Sequence, residues 1–116
     1  MLKVKRVYDP PETEDGYRIL VDRVWPRGFT KEKARLHEWR RDLGPSDALR
    51  KWFAHDPDKW DEFRRRYREE LVRAGHWKDL MALAERARNE DVTLLFSARD
   101  PAHNQAVALR EMALGR

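Results

Sequence analysis

"VTLLFSA", residues 92–98, decides the fold. Nearly every residue is apolar, with no polar residue recurring at every second place. That is the mark of a strand covered on both faces, as in a parallel sheet between helices. Reading towards the N-terminus, "YRILVDRVW", residues 17–25, holds a second wholly apolar stretch, Ile19-Leu20-Val21, and reads as another central strand. "LKVKRVY", residues 2–8, alternates apolar and basic side chains and reads as a half-buried strand. The link between these two, "DPPETEDG", is short and turn-rich. An antiparallel hairpin is therefore one option for the first strand, and its orientation stays open.

Helical signals fill the long stretch between residues 25 and 92. Thr30 is placed to cap a short helix, and Ser46 to cap "DALRKWF". "LHEWRRDL", residues 36–43, is ambiguous. Asp56 as N-cap and Pro57 as first helical residue predict a helix whose Trp60, Phe63, Tyr67 and Leu71 form one apolar stripe, stopped at Gly75. A second helix carries Trp77, Leu80, Met81, Ala84 and Ala87 on one face and ends near Asn89. After the strand at 92–98, Asp100 is expected to cap the last helix, with Pro101 as its first residue and Gly115 just past its end. Strands separated by helices predict an α/β fold: a single domain over residues 1–116, with a small, mostly parallel sheet flanked by helices. The strands at 19–24 and 92–97 should be parallel neighbours.

Composition narrows the function classes. The 116 residues are 41% hydrophobic and include five Trp, enough for a real core without a staple. No cysteine is present, which removes disulfides, thiolate nucleophiles and thiolate metal sites. The four histidines show no metal-ligand spacing, so no metal site is expected, and the sequence indicates no particular cofactor. No apolar run approaches the roughly 20 residues of a membrane span, and Lys3, Lys5 and Arg6 interrupt any leader-like N-terminus. The chain reads as a soluble cytoplasmic protein with no membrane partner. Its oligomeric state is not legible. The net charge of +4 favours an anionic partner.

In open α/β sheets ligands sit beyond the carboxyl ends of the strands. Two predicted central strands end in polar clusters, Asp22 to Arg27 and Ser97 to Asn104. If the strands are parallel neighbours, the clusters meet at the mouth of a pocket. Arg23 and Arg27 suit an anion, because guanidinium forks pair with phosphate or carboxylate in two-point contacts. Trp25 and Pro26 form wall, and Ser97, Asp100 and Asn104 offer polar contacts. His103 is the proton-transfer candidate, and Asp22 would orient an arginine or accept from the ligand. Bland readings stand beside these: Asp22 and an arginine as a buried structural pair, Trp25 as core, Asp100 as a cap, His103 as a surface histidine.

"DEFRRRYREE", residues 61–70, suggests a nucleic-acid stripe, but its acids and bases are four apart: Asp61 with Arg65, Glu62 with Arg66, Arg65 with Glu69, Arg66 with Glu70. Its aromatic residues lie on the apolar stripe, away from the arginines. A self-neutralised solvated face is favoured over a phosphate track, so nucleic acid is the less favoured partner.

Three blocks, "VDRVWPRG", "LRKWFAHDPDKWDEFRRRY" and "TLLFSARDPAHNQAVALRE", in this order resemble the YeaO-like branch of the bacterial and archaeal family catalogued as domain of unknown function 488. The resemblance covers essentially the whole chain. It implies a compact α/β domain with a mostly parallel sheet and no established activity. It also points to a pocket around Asp22, Arg23, Pro26, Arg27, Asp100 and His103. Longer relatives carry a block like "LLCxERDPxHCHR", whose cysteines suggest metal binding. Phe96 and Asn104 stand at the cysteine places here and Gln105 at the second histidine, so that suggestion does not carry over. The leading expectation is a small anionic ligand, phosphate or nucleotide-like, bound at the strand ends. The rivals are a nucleic-acid-binding or regulatory module that uses the basic surface, and a scaffold domain without ligand.

Overall fold

A computed structural model describes residues 1–115. Four strands form one sheet: β1 (Leu2–Arg6), β2 (Tyr17–Leu20), β3 (Glu38–Trp39) and β4 (Val92–Phe96). Their order is β1-β4-β2-β3 and every neighbouring pair is parallel. The α/β expectation holds, and so does the parallel pairing of the two apolar strands, with Ile19 opposite Leu94 and Leu20 opposite Leu95. β4 is central and all five of its residues are buried.

The open question of the first strand is settled: β1 is no hairpin partner of β2 but pairs parallel with β4, Leu2 opposite Val92 and Arg6 opposite Phe96. The link carries the chain back to the opposite end of the sheet and past β4, so that β2 starts level with β1. Two residues of the ambiguous stretch at 36–43 become the edge strand β3, followed by a 3-10 turn over Arg41–Leu43.

The helices are α1 (Lys31–Ala34), α2 (Asp47–Phe53), α3 (Trp60–Arg73), α4 (Trp77–Arg86) and α5 (Gln105–Ala113). Thr30 accepts from the Lys33 N–H and Ser46 from the Leu49 N–H, as capping chemistry requires. Asp56 and Pro57 open a 3-10 turn that leads into α3. Gly75, at φ 80°, ends that helix, with the His76 N–H reaching back to the Leu71 carbonyl at 2.9 Å.

The last helix is a correction. It begins after Asn104, whose side chain accepts from the Val107 N–H, rather than at Asp100. Asp100 instead accepts from the Ala102 and His103 N–H groups and closes a separate turn. Both residues are good caps, and a turn built on Asp-Pro competes locally with a helix start.

The two faces of the sheet differ. One carries Ile19, Val21, Leu94 and Phe96 against Phe63, Tyr67, Leu80 and Leu109, a continuous core beneath α2 to α5. The other holds a smaller cluster of Val7, Leu20, Ala34 and Leu95, with Trp25, Phe29 and Trp39 packed on it. Beside that cluster lies a buried polar group, Arg18 and Asp15, 3% and 6% exposed.

Ala54 and His55 follow α2 with φ of 46° and 58°, in the left-handed region. An L-residue pays roughly 1–2 kcal/mol there, and glycine does not. Ala54→Gly is therefore expected to raise unfolding stability by about 1 kcal/mol in a urea titration. Unchanged or reduced stability would show that the turn carries no such strain.

Candidate functional site

The ladder between β2 and β4 runs one residue past the end of β2, the Val21 N–H reaching the Leu95 carbonyl at 3.1 Å. The next residue, Asp22, therefore comes out beside Ser97, the first residue after β4. Ser97 donates its N–H (3.1 Å) and its hydroxyl (2.5 Å) to one oxygen of Asp22. The Gln105 amide, from the first turn of α5, donates to the other oxygen. The Trp39 indole N–H holds the Asp22 carbonyl at 2.8 Å. Three elements thus fix one acidic residue, backbone and side chain, at the sheet's carboxyl edge.

Beyond it opens a cavity of about 1060 Å³. Of the residues proposed for the site, Asp22, Arg23, Trp25, Pro26, Arg27, Ser97, Asp100 and Asn104 line it. His103 does not: its Nδ1 lies 2.9 Å from Asp100 and its ring meets Trp60 edge-on.

The individual roles differ from those the sequence suggests. Asp22 forms no ion pair with any arginine among the described residues, so the buried-pair reading fails for want of a partner. Arg23 is spent on the backbone, its Nε donating to the Pro45 carbonyl at 2.7 Å and its Nη2 to Gly44 at 3.0 Å. It ties the loop before α2 to the strand end. Trp25 gives its indole N–H to the Phe29 carbonyl at 2.6 Å and packs edge-on against Trp39, which makes it wall. Asn104 spends its amide on the Asp100 carbonyl and on capping α5. Arg27 is exposed, and its guanidinium has no partner among the described residues.

Residues to which the sequence assigns no role at the site complete the lining, Arg99 from within the Ser97 to Asn104 cluster and Arg6 and Arg50 from outside both clusters. Arg6, Arg50 and Arg99 bring the arginines at the cavity to five, against two acids, Asp22 and Asp100. Arg6 donates from Nε to the Ala98 carbonyl at 2.9 Å. Arg50 has only Asp47, at 3.3 Å, and the Arg99 side chain has no partner among the described residues. Arg6 ends β1, so the strand-end rule finds it once that strand is known to be parallel. Arg50 and His55 come from a distant helix end and leave no local signal.

Burial pushes the Asp22 carboxyl up to about 6; the two Ser97 hydrogen bonds and the charge of Arg50 pull against this without cancelling it. Asp100 is held below the usual carboxylate range, first by the Ala102 N–H and then by His103.

Elsewhere, Asp42, His76 and Asp79 bring one ligand atom each within 4.8 Å of one another. Both oxygens of Asp42 already accept from Arg40, at 3.0 and 2.8 Å, and that positive charge opposes a cation. On α3 the expected Glu62–Arg66 and Arg65–Glu69 pairs form, at 3.1 and 2.8 Å. Asp61 instead pairs with Arg64, and Glu70 turns inward to Ser46. The indoles are not segregated from the arginines: Arg66 lies 4.3 Å over Trp52 and Arg68 4.7 Å over Trp77. Among the described residues no helix is long and apolar enough to cross a membrane.

A parallel sheet whose central strands carry a carboxylate to the edge of an arginine-lined cavity defines an α/β protein with a candidate site at its strand ends. The chain matches, over residues 1–116, the family described as the inactive DUF488-N3 subclade, and it belongs to that family. It is 44% identical to the uncharacterized protein YeaO of Escherichia coli (strain K12) over 110 residues, 95% of this chain and 94% of the relative. It is 38% identical over 115 residues to the uncharacterized protein Rv3073c of Mycobacterium tuberculosis (strain ATCC 25618 / H37Rv), 99% of this chain and 95% of the relative. No solved structure matches the chain.

Proposed function

We propose that the protein binds a small anion of the phosphate class in the cavity at the carboxyl ends of β2 and β4, with Arg27, Arg50 and Arg99 as its holders. The observation that carries this reading is the charge balance: five arginines to two acids around one concave space, two of the arginines without partners among the described residues. Guanidiniums left unpaired at a cavity rim suit a phosphate, which accepts from their paired donors. The subclade's description as inactive favours binding without turnover. The nucleic-acid reading has less support, because most of the α3 arginines are paired with acids or laid over indoles.

The test is a thermal-shift titration with phosphate at fixed ionic strength. A ligand that prefers the folded state raises apparent stability by RT ln(1 + [L]/Kd), so Tm should climb steadily once phosphate exceeds Kd. Phosphate also stabilises folded proteins generally by exclusion from their surface. Arg27→Ala, which removes no internal bond made by that side chain, is therefore the control. It should keep the wild-type Tm without phosphate and lose most of the shift. Equal shifts in both proteins would mean that no specific site exists.

A further inference from the structure

The carboxylate of Asp22 is at odds with a site for a bare anion. It is 6% exposed and lines the cavity. All its donors are neutral: the Ser97 N–H and hydroxyl, and the Gln105 amide. The nearby guanidiniums are directed elsewhere, Arg6 to the Ala98 carbonyl and Arg23 to Gly44 and Pro45. A carboxylate at this cavity repels an incoming phosphate. A ligand removes the conflict if it carries hydrogen-bond donors beside its phosphate.

We propose that the ligand is a phosphate ester bearing free hydroxyls, a sugar phosphate or nucleotide, whose hydroxyl donates to Asp22 while its phosphate lies among the arginines. This rests on the anion reading above. A carboxylate offers about four acceptor positions. Three are taken and one is left for a ligand. The group is also held ready, since Trp39 fixes its backbone and Ser97 its side chain. Size points the same way: a cavity of about 1060 Å³ is at the upper end for small-molecule sites and far exceeds a lone phosphate. A buried acceptor with one vacant position favours ligands that bring the matching donor.

Calorimetric titration of the wild-type chain with inorganic phosphate, methyl phosphate, ribose 5-phosphate and adenosine 5′-monophosphate tests this without any mutation. Ribose 5-phosphate or the nucleotide should bind at least tenfold more tightly than methyl phosphate. Whichever of the two binds more tightly identifies the sugar phosphate or the nucleotide as source. Asp22→Asn should abolish the preference while leaving methyl phosphate binding equal or tighter, because it removes a repelling charge. Methyl phosphate binding as tightly as both ribose 5-phosphate and the nucleotide overturns the hydroxyl-ester proposal and leaves the anion site standing. If no phosphate compound binds, the anion site falls with it. Salt-sensitive binding of an oligonucleotide, with none of the small esters, overturns it in favour of a nucleic-acid surface.

Discussion

Arg18→Ala is expected to lower unfolding stability by about 3–5 kcal/mol, a large part of what a domain of this size has in reserve. Arg18 is 3% exposed on the second face of the sheet. Its Nη1 lies 2.5 Å from Asp15, its Nη2 2.8 Å from the Ala34 carbonyl and its Nε 3.2 Å from the Arg35 carbonyl. One guanidinium therefore ties β2 to the 3-10 turn before it and to the end of α1. Removing it leaves a buried carboxylate with Lys5 as its remaining cation and two carbonyls short of donors. Urea unfolding of the variant measures the loss directly, and a change below about 1 kcal/mol would mean that the cluster relaxes or takes in water.

Asp22→Asn is expected to act in the opposite direction at neutral pH. The carboxyl is raised from 3.8 to about 6 by burial, so ionising it in the folded state costs about 3 kcal/mol at 1.36 kcal/mol per pKa unit. The sign follows from linkage: the group's stabilising contribution is complete below its unfolded value and is lost as pH rises through about 6. Asparagine removes the charge but cannot satisfy all three donors, which offsets on the order of 1–2 kcal/mol. The variant should then be about 1–2 kcal/mol more stable than wild type at pH 7, with the gap closing or reversing towards pH 4. A gap that is independent of pH would show that Asp22 is not the buried ionising group. A residue that weakens the fold at working pH is typical of binding sites, where function is retained at the expense of stability.

Much of the fold was legible in the sequence because its signals are local. The nearly continuous apolar run at 92–96 and the stripe Phe63-Tyr67-Leu71 come from periodicities that the backbone imposes. The caps at Thr30, Ser46 and Asp56 read correctly for the same reason. The start of α5 did not, because Asp100 and Asn104 are both cap residues four apart and only packing selects the second. β3 was missed because two residues carry no period. The Arg18–Asp15 cluster was invisible because "YRILV" reads as a strand whether its arginine faces water or the interior.

The site divides in the same way. Asp22, Ser97 and the 23–27 segment follow from the rule that ligands sit at parallel strand ends, and the structure brings them together. The arginine roles do not follow, because strand alternation says which face Arg23 takes and not which carbonyls wait there. Arg50, His55 and Gln105 reach the cavity through contacts between distant segments, and no short-range pattern announces them.

The central claim is that unpaired arginines make this cavity an anion site. Calorimetric titration of phosphate into the wild-type chain and the Arg27→Ala/Arg99→Ala double variant tests it most directly. A hydrogen bond to a charged group contributes roughly 1.5–3 kcal/mol, so losing two such holders should weaken binding by at least about a hundredfold. The double variant should unfold at the wild-type midpoint, since neither side chain has an internal partner among the described residues. Saturable wild-type binding that disappears in the double variant is the result the account predicts. Wild-type affinity retained in the double variant, or no binding by either protein, would contradict it.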